Sequence, residues 1–155
     1  MHIIIKHIKN NIGIILFLIA STFIIPNSYS EQSAEEVIKE RKALFSKNYK
    51  IAKRVQAFSN SGKYDNAKKL MFEMSENYKN LLKLFPENSQ EGFNTSSLPF
   101  IWKDKENFNL LMQKSSDDMV KLVSLIETSD DVNVPIRQLM WSNCKACHSK
   151  YRQPH

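Results

Sequence analysis

Glycine is scarce in this chain: three residues in 155, with only five prolines beside them. Turns are usually built on those two residue types, so little room is left for a many-stranded sheet, and long uninterrupted helices are favoured. Cysteine is scarcer still, at Cys144 and Cys147 alone. No hydrophobic run reaches spanning length. The best one, Ile12 to Ile25, is interrupted by Gly13, Ser21 and Thr22, whereas a transmembrane helix wants about 20 apolar residues. No block of one charge sign occurs either. The basic residues are scattered among acids, as on a solvated surface, which argues against a nucleic-acid partner.

The short apolar run has another reading. Lys6 and Lys9 precede it, no acidic residue comes before Glu31, and Ser28-Tyr29-Ser30 ends it with small residues where a signal peptidase inspects. Residues 1–30 are therefore expected to be a cleaved secretory signal, with a retained anchor as the alternative. Residues 31–155 are the expected mature domain, in the periplasm and without a membrane span. No cysteine near the cut offers a site for a lipid anchor. Losing Lys6 and Lys9 lowers the net charge from +6 to +4, which decides nothing about partners. The remaining length suits one compact domain.

Four helical segments are expected in it. Ser33 and Glu36 form a capping box, and apolar residues recur at Val37, Leu44, Ile51, Val55 and Phe58 until Asn60-Ser61-Gly62 stops them. The second segment starts near Asp65, repeats at Ala67, Leu70, Met71, Met74, Tyr78, Leu81, Leu82 and Phe85, and ends at Pro86. Glu87 to Ser97 is polar and reads as a long crossover loop. The third segment runs from about Phe100 to Glu127. The fourth runs from near Asn133 to near Arg152, with Pro135 in its first turn. Each has one apolar stripe and one charged face. The fold class expected is all-α, an antiparallel four-helix bundle.

Chemistry concentrates in Cys144-Lys145-Ala146-Cys147-His148, a C-x-x-C-H haem-attachment motif. Two thiols on one helical turn can each add to one haem vinyl group, and the adjacent histidine can then ligate the iron. The competing readings are weaker. A thioredoxin-like pair wants a βαβ setting. A structural zinc wants four ligands, and His155 is the one other histidine of the expected mature chain. A disulfide here would close almost no loop. One covalent haem c with its iron is the cofactor expected, bound near the C-terminal helix.

The motif's place on the last helix, together with Arg41-Lys42-Ala43-Leu44-Phe45, Tyr64-Asp65, Leu84-Phe85-Pro86-Glu87 and Ile101-Trp102, resembles the cytochrome c′ family, the class II c-type cytochromes. The resemblance implies a haem held between the four helices, with a proximal histidine partly open to solvent, here His148. It places Arg41 near a haem propionate and Arg152, four residues after His148, near the proximal face. Low-spin members carry a ligating methionine four residues after the arginine. Here that position is Phe45, which has no lone pair. Met71 and Met74 read as core, and nothing in the spacing asks Lys42 or Lys47 to ligate. A five-coordinate iron is expected, with an aromatic ring on its distal side.

Three functions follow from this resemblance. The first is a non-enzymatic protein that binds nitric oxide or another small gas. The second is an electron carrier with a redox partner. A slow haem enzyme ranks last, because no distal acid or histidine is visible to move protons. A second copy of the chain is a further expected partner, with Tyr49, Tyr64 and Phe72 as candidate surface.

Overall fold

The capping box sets where the first helix begins. In a computed structural model, which describes residues 32–154, the Ser33 hydroxyl accepts from the Glu36 N–H, and the Glu36 carboxylate accepts from the Ser33 N–H at 3.0 Å. Such a cap contributes about 1 kcal/mol. The signal-sequence reading of residues 1–30 and its cut site lie outside the described residues.

Helix α1 spans Ala34–Asn60 and α2 spans Tyr64–Leu81. Gly62 joins them at φ +69°, a backbone setting that suits glycine. A short 3₁₀ turn, Glu87–Ser89, interrupts the crossover loop. Then come α3, Phe100–Lys103, and α4, Lys105–Leu125. The last segment is α5, Asn133–Ile136, a π turn at Arg137–Trp141, and α6, Ser142–Tyr151. The chain is a four-helix bundle. Among the described residues, pairing of the β type is limited to one isolated bridge, Ser97 to Arg152.

Three boundaries differ from the periodicity. The second segment leaves the helix after Leu81, short of Pro86, where Lys83 and Leu84 N–H groups bond three residues back in a tightened turn. The third segment is broken at Asp104, which leaves helical geometry at φ −119°, ψ 38°. Its carboxylate is drawn aside by Asn107, Tyr151 and Lys150. The fourth segment is not one regular helix, and Arg152 is extended beyond its end. The Arg152 backbone pairs with Ser97.

The core runs from Val37, Ile51 and Val55 on α1, through Met71, Met74 and Leu81 on α2, to Phe108, Met112, Met119 and Leu122 on α4 and Met140 in the π turn. Three interfaces also carry a buried polar pair. Asn77 donates to Asn48 at 2.8 Å between α2 and α1. Ser75 and Ser116 share a hydrogen bond of 2.8 Å between α2 and α4. Asn143 donates to Asp118 at 2.7 Å between α6 and α4. Apolar stripes can slide along one another, whereas a buried polar group without its partner costs about 1–3 kcal/mol. These pairs fix the register of the bundle.

Candidate functional site

Helix α6 presents the cysteine motif on one turn. Cys144 and Cys147 are unpaired and half-buried, three residues apart and so on one face. Cys147 packs against the hydrophobic core. Cys144 neighbours the buried Tyr78 of α2, whose phenol acts on its thiol. His148 lies one residue further round and is exposed. It lines a recess of about 480 Å³ with Lys145, Ser149 and Arg152.

Burial controls the protonation of this group. It pushes the Cys147 thiol up to about 12, with the neighbouring Cys144 acting in the same direction. It raises Cys144 too, against Tyr78, which works the other way. The Tyr78 phenol is raised by burial and then by Cys144. Both thiols are thus neutral at physiological pH. Redox-active cysteine pairs have lowered values, so this setting argues against thiol–disulfide chemistry.

Arg41 and Phe45 form a second group, on α1. The Arg41 side chain is 1% exposed. One terminal nitrogen donates to Leu84 O at 3.3 Å and Ser89 Oγ at 3.0 Å. The other donates to Ser89 O at 2.9 Å and Thr95 Oγ1 at 2.6 Å. Its Nε has no hydrogen-bond partner among the described residues. The guanidinium also lies 4.9 Å from the centre of the Phe85 ring, a cation–π distance. Burial lowers its pKa to about 10, so it keeps its charge at neutral pH. Phe45 is half-buried and meets the same Phe85 edge-on, with ring centres 6.4 Å apart.

The crossover loop links the two groups. Arg41 holds Thr95, whose hydroxyl also accepts from the Ser97 N–H at 3.2 Å. Ser97 bridges to Arg152, Leu98 N–H donates to Tyr151 O at 3.0 Å, and Gln153 N–H donates to Ser96 O at 2.9 Å. The end of the motif helix is therefore strapped to the loop that Arg41 anchors. Tyr78 was legible only as a member of an apolar stripe, because its partner Cys144 lies far along the chain.

A sequence profile described as Cytochrome C′ matches residues 36–152. The chain belongs to the cytochrome c′ family. The cytochrome c′ of Rhodopseudomonas palustris is 30% identical over 120 residues, which cover 76% of this chain and 82% of that protein. The solved structure of a cytochrome c′ from the same organism superposes with a TM-score of 0.66 at 28% identity, covering 76% of this chain and 96% of that one. The cytochrome c′ of Alcaligenes xylosoxidans, solved as a ferrous variant with bound NO, shares the fold. Its TM-score is 0.68 at 18% identity, over 81% of this chain and all of that one.

Members of the cytochrome c′ family bind covalent haem c with its iron. The chain's own residues suit that group. Two neutral thiols one turn apart are the donor set that a pair of vinyl groups needs, and an imidazole follows directly. The orphaned Nε–H of Arg41 is a buried donor without an acceptor among the described residues, as expected beside an absent carboxylate. Arg41 thus has one donor to offer a propionate. Its other four are spent on the loop.

Proposed function

We propose that the chain is an exported c-type haem protein, cleaved near Ser30 and released into the periplasm, whose five-coordinate iron binds nitric oxide or another small gas. Cys144 and Cys147 would each add S–H across a vinyl double bond, forming one S–C and one C–H bond with no net oxidation. His148 would give the proximal imidazole. Arg152, in the same recess, would stand beside it. The Nε–H of Arg41 would donate to a propionate. Bound haem supplies an iron that can take a diatomic ligand.

The observation that carries this reading is Phe45. By the resemblance, it stands four residues after Arg41, where low-spin relatives carry a methionine, and its ring has no electron pair for a metal. The other candidate ligands are committed elsewhere. Met71 and Met74 are fully buried in the core. Lys42 donates to Asn94 O at 3.0 Å, and Lys47 pairs with Glu73 at 2.8 Å. Dioxygen binding separates charge and gains from a distal hydrogen-bond donor, whereas nitric oxide binds strongly without one, so an aromatic lid selects for nitric oxide. The NO complex of the Alcaligenes relative supports the same ligand class.

Electron transfer is the second reading, favoured by the exposure of His148, which would bring the iron near solvent. Titration of the ferrous holoprotein with gases tests the first. Nitric oxide and carbon monoxide should each change the absorption spectrum, with little stable oxygen complex. A long-lived oxygen complex would contradict it.

A further inference from the structure

The π turn just before the haem-attachment motif needs a cause. At Arg137–Trp141 the backbone is wider than an α-helix, and the Ser142 N–H reaches back five residues to Arg137 O. Such a turn inserts one extra residue, so everything after it is rotated by about 100° relative to a continuous α-helix. Closing it would bring Ser142, Ala146 and Lys150 to the inward positions now held by Asn143, Cys147 and Tyr151. The cysteines would turn away from α2 and the core, and a lysine would be driven inward.

Side chains hold the turn open. The Ser142 hydroxyl donates to Arg137 O at 2.8 Å. The Asn143 carboxamide donates to Leu139 O at 2.7 Å and to Asp118 Oδ2 at 2.7 Å. Its oxygen accepts from Lys114 at 3.4 Å, and Lys114 also contacts the Asp118 carboxylate. Asn143 is 5% exposed and Asp118 8%. A buried carboxylate needs its partners, and a rotation of α6 would take the Asn143 hydrogen bond from Asp118 and leave the Lys114 contact of its own helix. Asn143 directly precedes Cys144, which passes this constraint straight to the motif.

We propose that Asp118 is a positioning residue: through Asn143 it keeps the π turn open and sets the rotation at which Cys144, Cys147 and His148 meet the haem. This rests on the haem assignment proposed above. The test compares wild type, Asp118→Ala, Asp118→Asn and Ser75→Ala, the last removing a buried polar contact between α2 and α4 in which α6 takes no part. Periplasmic protein is analysed by intact mass for covalent haem, and the ferrous form by resonance Raman for the iron–histidine stretch. Asp118→Ala should cut the loaded fraction severalfold and shift or broaden that band. Asp118→Asn keeps an acceptor for Asn143 and should restore the band. Ser75→Ala should lower the melting temperature while leaving loading and band at wild-type values. If Asp118→Ala does not accumulate, Asn143→Ser carries the same expectation, since its side chain is too short to reach Asp118. A wild-type band and loading in Asp118→Ala, or in Asn143→Ser, would overturn the proposal. Wild-type protein without covalent haem would instead overturn the haem assignment.

Discussion

Phe45 and Arg41 sit one helical turn apart on α1 and have different tasks. For Phe45 the question is what any incoming ligand must displace. Phe45→Met places a thioether at that position, and the iron is expected to move toward six-coordinate low-spin. Phe45→Ala removes the ring, and carbon monoxide is expected to bind faster in a flash-photolysis measurement. For Arg41 the structure changes the emphasis. The resemblance assigns it to a propionate, yet four of its donors hold Leu84, Ser89 and Thr95. Next to them Phe93 and Asn94 take left-handed backbone angles, φ 48° and 54°, which cost a side-chain-bearing residue about 1–2 kcal/mol each. Arg41→Ala should therefore destabilise the protein by about 3 kcal/mol, since it strips a charged donor from several buried neutral acceptors at once, measured by urea denaturation. A loss confined to the haem spectrum would mean that the propionate is its main partner. Residue identity made the cysteine motif legible, because its members are contiguous. The tasks of Arg41 were not legible in full, because its partners lie 43 to 54 residues away.

At the scale of elements, the capping box and the apolar repeats fixed α1 and the start of α2 closely, while the end of α2 came at Leu81 and not at Pro86. They failed where a side chain competes with the backbone. Asp104 looks like one more helix-surface acid, yet Tyr151 donates to it at 2.6 Å and Lys150 pairs with it at 2.5 Å. Both partners come from the end of α6, so no local pattern announced the break. The π turn was hidden for the same reason, since Asn143 needs Asp118 of another helix. Of the candidate surface residues, Tyr64 packs at the bundle's edge, partly against the core at the start of α2. The Asp104 cluster also gives a pH dependence. Lys150, then Tyr151 and Asn107, hold the Asp104 carboxyl down at about 2, below its ordinary 3.8. A depressed carboxylate stabilises the fold above its unfolded pKa, and that contribution is lost as pH falls through the folded value. Between about pH 4 and pH 2 the melting temperature of wild type should fall more steeply than that of Asp104→Asn. Parallel slopes would show that the cluster adds nothing to stability.

For the whole molecule, the bundle itself was readable from stripes and turn signals, while its register rests on polar pairs that no single helix displays. Its outer surface leaves Tyr49 at 55% and Phe72 at 50% exposure, on α1 and α2. Tyr49 already meets Trp141 edge-on and carries Lys53 over its ring. We expect a dimer through this face at micromolar concentration, and Tyr49→Glu with Phe72→Glu should give monomers in sedimentation experiments. Monomeric wild type would rule this out. Among the described residues no helix is long and apolar enough to cross a membrane.

The central claim is a covalent haem whose iron has His148 on one side and no protein ligand on the other. The absorption spectrum of purified ferrous holoprotein tests it most directly. A high-spin, five-coordinate spectrum of the folded protein, with the haem staying on the chain through a separate denaturing extraction, is the result expected. A low-spin, six-coordinate spectrum would contradict it, showing that a side chain already fills the distal position and moving the function to electron transfer.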